Sequence, residues 1–129
     1  MPYVTSLTEL DIEFGKEVWR ALRRDKTLPW AGVLWLLESE SSDWHLVIAS
    51  PRVDEVGPRK AYEELAEITR PTDRGGSQFL RIELISPKKP FYRALRNVFG
   101  KAASVEGTRL GNTQVEGMYI EDAYLYEIR

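Results

Sequence analysis

Chemistry has few places to start in this chain. His45 is the only histidine and there is no cysteine. Thiolate nucleophiles, disulfides, zinc knuckles and iron–sulfur ligation are therefore all excluded. A Ser-His-Asp system would have to use His45, yet no G-x-S-x-G elbow supplies a serine. His45 shares a strand parity with Val47 and Ala49, and that position suits a packed side chain with a satisfied nitrogen better than a catalytic base. Phosphate motifs are equally thin. Gly75-Gly76 lacks a following Lys-Ser or Lys-Thr, and Gly107, Gly111 and Gly117 open no amphipathic helix, so neither a P-loop nor a dinucleotide fingerprint is present.

For metals, the chain offers acid pairs at Asp11-x-Glu13, Glu38-x-Glu40, Asp54-Glu55 and Glu121-Asp122. These are oxygen ligands of the kind magnesium takes, though such pairs on turns usually face solvent. The sharpest catalytic candidates are Asp54, just past a hairpin, and Glu83 on the following strand. Together they would suit a metal-dependent nuclease, although Ile85 stands where such sites place a lysine. No bound metal and no cofactor are expected.

The other signal is charge. Lys88, Lys89, Arg93, Arg96 and Lys101 fall in a segment without an acid, in a chain of net charge -2, so the remainder carries -7. Such polarisation suits docking to an acidic surface or contact with a second copy. Trp30, after Pro29 in a linker, is a candidate contact residue or a lid over the end of the sheet.

The elements that must hold these residues follow from periodicity. Ala31–Ser50 reads as two apolar runs joined by a polar hexapeptide, an antiparallel hairpin buried on both faces at the centre of a sheet. A helix over about 7–24 begins at Ser6-Leu7-Thr8-Glu9, in the form of a capping box. It carries the stripe Leu7, Leu10, Phe14, Val18 and Ala21 or Leu22. A loop with Arg52 and Asp54 leads to a second helix, 58–70, opened by Pro58. Thr72–Ser77 is a loop by composition. Residues 78–86 alternate as a strand near a sheet edge, and a third helix over 90–99 turns Phe91, Leu95, Val98 and Phe99 inward. Residues 101–112 read as a connection, and 117–129 as a terminal strand, with a turn at Glu121-Asp122 as the alternative.

The expected fold is thus α+β, a single domain over 1–129 with a mixed sheet built on the central hairpin. At 129 residues with 43% hydrophobic and 29% charged side chains, the chain suits one core. No apolar run approaches the roughly 20 residues of a membrane span, so no membrane partner is expected and the cytoplasm is the default location. The leading functional reading is a small non-catalytic domain acting through protein contacts, as an accessory or regulatory subunit or a homodimer. A nucleic-acid-binding protein, with or without nuclease chemistry, is the alternative, and a small-ligand sensor is a third.

Overall fold

The computed structural model describes residues 6–38, 40, 42–72, 78–101 and 104–129. Helix α1 spans Glu9–Arg24, strands β1 and β2 Gly32–Leu37 and Trp44–Ala49, and helices α2 and α3 Arg52–Val56 and Pro58–Thr69. Strand β3 is Ile82–Ile85, helix α4 Pro90–Phe99, and strands β4 and β5 Thr108–Val115 and Met118–Ile128. The five strands run in the order β3-β2-β1-β5-β4. β1 is central and antiparallel to both β2 and β5, β4 is antiparallel to β5, and β3 pairs parallel to β2. The α+β class, the mixed sheet, the central hairpin and the terminal strand are all as the sequence implied.

Apolar side chains on both parities of β1 explain the layering. Val33, Trp35 and Leu37 pack with Trp44, Leu46 and Ile48 beneath α1 and α3. Leu34 packs with Val47, Leu125 and Ile128 beneath α4. A bulge in β5, between the pairings Val33↔Glu127 and Leu34↔Leu125, adds Tyr126 as an extra residue. That step moves Ile128 to the α4 side while Tyr124 and Tyr126 stay under α1.

Several boundaries differ from expectation. The capping box is Thr8 with Asp11, not Ser6 with Glu9: Asp11 N donates to Thr8 Oγ1 (3.1 Å) and Thr8 N to Asp11 Oδ2 (3.0 Å). Asp11 wins because it also meets Arg81 (Nη1 to Oδ1, 2.5 Å), which turns position 11 inward and leaves Leu10 82% exposed. Residues 52–56, read as loop, form the one short turn of α2. Residues 78–81 form a 3-10 turn, so β3 starts only at Ile82 and Leu80 points to solvent. Val98 is half exposed rather than inward. Residues 108–115, of which the expected connection covered 108–112, are β4, whose polar sequence hid it: only Leu110 and Val115 are buried. The hairpin turn is Glu116-Gly117, both at positive φ in the manner of a tight two-residue turn, and β5 runs unbroken through Glu121-Asp122. The loop expected at 72–77 lies largely outside the described residues.

The Asp11–Arg81 pair fastens α1 to the entry of β3, and the Arg81 guanidinium lies 4.7 Å over the Trp35 ring. Burial raises the Asp11 pKa, but the hydrogen bonds from Arg81 and Thr8 outweigh it, so the carboxyl sits below its ordinary 3.8. A depressed pKa stabilises the fold above the unfolded value, and that contribution is lost as pH falls through the folded one. Arg81→Met leaves a poorly solvated carboxylate and is expected to cost about 2–3 kcal/mol at pH 7. Calorimetry should find this difference constant above about pH 4 and shrinking below it as Asp11 protonates.

Candidate functional site

α4 presents the basic surface. Its inner face is fixed by Tyr92, Ala94 and Leu95, which are buried, and by Phe91 and Phe99, which pack on the same core. Tyr92 packs against Gly32, where an added Cβ would come within 2.7 Å of its Cε1. The Tyr92 hydroxyl donates to the Arg129 carbonyl (3.0 Å), and burial pushes its pKa up to about 12. Tyr92 is therefore a core residue and offers no stacking surface. Asn97 Nδ2 donates to Glu116 Oε1 (2.8 Å) and ties the far end of α4 to the β4–β5 turn.

With the inner face fixed, Lys88, Lys89, Arg93, Arg96 and Lys101 are all exposed. Lys89, Arg93 and Arg96 recur at helical spacing along one ridge. Among the described residues none of the five pairs with a carboxylate, whereas most other cations do. The start of α4 also works against its own electrostatics. Lys88 and Lys89 stand at the positive end of the helix dipole, with no acid in the first turn and no side-chain cap. Each such cation costs about 0.3–1 kcal/mol. α3 also starts with cations, but its Arg59 reaches Glu63 at 3.7 Å.

The remaining candidates fall in different places. Trp30 is half-buried and closes the sheet end: its indole donates to the Leu22 carbonyl (3.2 Å) while Arg129 stacks 3.9 Å above the ring. Asp54 accepts from Ser86 Oγ (2.7 Å), beyond the end of β3. Glu83 points instead toward His45 and Glu38, so the two proposed nuclease carboxylates have separate surroundings. Asp122, from another acid pair, is held by a bidentate Arg109 (2.6 and 2.8 Å). The aromatic hairpin is closely packed on the middle of α1, where Trp35 is fully buried against Gly15 and Tyr126.

Sequence reasoning missed one grouping. Glu38 at the end of β1, His45 in β2 and Glu83 in β3 bring one donor atom each within 4.8 Å of one another. His45 Nδ1 is buried and makes no hydrogen bond, although Glu38 Oε1 lies 3.5 Å away. The expectation of a satisfied nitrogen fails, because β2 turns the ring toward an acid that it does not meet squarely. Parity was the available signal: His45 and Glu83 are polar interruptions on strand faces otherwise continued by Val47, Ala49 and Ile85.

Comparison with protein-family models, with curated proteins and with solved structures finds no match. Among the described residues, no helix is long and apolar enough to cross a membrane.

Proposed function

We propose that this chain is a small docking domain, an accessory or regulatory subunit whose α4 ridge binds an acidic protein surface. One observation carries the reading: Arg93 and Arg96 on α4, Lys88 and Lys89 at its start and Lys101 just past its end are five exposed cations that have no carboxylate partner among the described residues, and two of them stand where they weaken the helix. Surface charge without local pairing acts mainly on encounter with a partner of opposite sign. A protein is favoured over nucleic acid because the outer face of α4 carries no exposed aromatic on which bases would stack, and the rest of the molecule carries -7. A cysteine-free chain of this kind suits a reducing cytoplasm.

The test uses an oligoglutamate peptide and duplex DNA as probes, read by fluorescence anisotropy. At about 150 mM salt the peptide should bind and the DNA should not. Arg93→Glu with Arg96→Glu is expected to weaken peptide binding by at least about tenfold, mainly through slower association. Lys89→Asp should weaken binding while raising stability by about 0.5–1.5 kcal/mol, since it places a capping acid at the helix start. Submicromolar DNA binding lost on the same reversal would hand the surface to nucleic acid. Salt-sensitive dimerisation abolished by the reversal would assign it to a second copy of the chain.

A further inference from the structure

We propose that Glu38, His45 and Glu83 form a binding site for one divalent transition-metal ion. His45 and Glu83 come from the adjacent strands β2 and β3 and Glu38 directly follows β1, so the sheet register itself gathers them. His45 shares a parity with Val47, and Val47 pairs with Glu83 across the parallel β2–β3 ladder. His45 also pairs with Leu36, two residues before Glu38 on β1. All three donors therefore lie on the α4 side of the sheet, in the corner formed by the β1–β2 connection and β3.

The geometry calls for a cation. Two carboxylates within 4.8 Å of each other repel, and among the described residues Glu83 has no cationic partner and accepts no side-chain hydrogen bond. A hydrogen bond from His45 to Glu38 would answer this. His45 Nδ1 instead makes no hydrogen bond, although the atom is buried from solvent. A metal ion accepts the lone pair of that nitrogen and an oxygen from each acid at once. Metal–ligand bonds of about 2.0–2.2 Å need donors roughly 3–3.5 Å apart. The half-buried side chains must close by about an ångström, a rotamer adjustment that leaves the strands in place.

The donor set also selects the ion. Imidazole suits zinc, iron, nickel and copper, while carboxylates alone suit magnesium and calcium, so one nitrogen with two oxygens favours a first-row transition ion. Three protein ligands leave at least one coordination position for water. Bound there, the ion joins the β1–β2 connection to the edge strand β3.

Because His45 is the only histidine, an untagged protein gives one imidazole signal. Nitrogen-15 NMR during titration of metal-free protein with zinc reads that ring directly. The expected result is saturation at one equivalent, displacement of the His45 ring resonances, and affinity at least about a hundredfold above that for magnesium. At a hundredfold excess over Kd the melting temperature should rise by about 5–10 °C. Glu83→Gln and His45→Asn, each checked for a native melt, should weaken zinc binding by at least about tenfold. Glu40→Gln, the same charge change on an exposed neighbour, should not. Unmoved ring resonances, binding that never saturates, or equal binding by Glu83→Gln and the parent chain would each overturn the proposal.

Discussion

Leu34→Asp is expected to abolish folding. Leu34 sits in the middle of β1, fully buried, opposite Val47 on one side and Leu125 on the other. The substitution forfeits about 2–3 kcal/mol of apolar burial. It also places a carboxylate among Val47, Leu125 and Ile128, at a cost of several kcal/mol more whether the group ionises or takes up a proton. Together these approach the whole stability of a domain this size, about 5–15 kcal/mol. Circular dichroism and thermal melting should show no cooperative transition. Glu40→Ala, on the exposed β1–β2 connection, should stay within about 0.5 kcal/mol of the parent. A Leu34→Asp protein that melts normally would remove β1 from the core.

Gly15→Ala is the second large effect, and its sign is the informative part. Helix propensity alone makes the change stabilising by about 1 kcal/mol, since Gly15 lies inside α1. Packing reverses this. An added Cβ would stand 2.7 Å from Trp35 Nε1 and 2.8 Å from Tyr126 Cε2. Those rings are fixed by what they bond: Trp35 Nε1 donates to the Asp11 carbonyl and to Tyr126 Oη (3.1 Å each), and the Tyr126 hydroxyl donates to the Ile12 carbonyl (2.6 Å). Burial raises the Tyr126 pKa well beyond its usual range, so this donor persists at alkaline pH. Making room means moving α1 off the sheet or breaking these bonds, an expected net loss of about 2–4 kcal/mol. Denaturant titration would reveal it. Gly111→Ala, where nothing lies within 4 Å, serves as the near-neutral control.

What was legible followed from signal strength in the residues themselves. The central hairpin declared itself because both parities of β1 and β2 are apolar, a pattern that only a doubly covered strand produces. α4 was read to its true ends because Pro90 starts it and Gly100 follows it. β4 was missed for the opposite reason. TRLGNTQV is an edge strand with two buried apolar positions and an internal glycine, and its pairing energy comes from the backbone of β5, which composition does not record. The β5 bulge was invisible because one inserted residue changes the face of everything after it. Charge on and around α4 was evident, since five cations over 88–101 with no acid between them need no geometry to be noticed. The Glu38, His45 and Glu83 grouping was not, because it depends on the register of three strands, one of them parallel and reached only after α2 and α3 have intervened.

The pairing of β1 with β5 has a kinetic consequence. Each flanking hairpin is local: β1 meets β2 across a short connection, and β4 meets β5 across two residues. The sheet is completed only when residues near Leu34 find those near Leu125, a closure across most of the chain and one that pays its entropy before any of the core is sealed. Until then the apolar edges of β1 and β5 are both unpaired. In the finished protein the outer edges are guarded, with the Leu84 amide on β3 donating to the Tyr62 hydroxyl (2.8 Å) and Arg109 lying on β4. During refolding the unguarded edges are the inner ones, and a second copy offers each of them its natural partner. Refolding yield should therefore fall as protein concentration rises, with strand-exchanged dimers as the by-product.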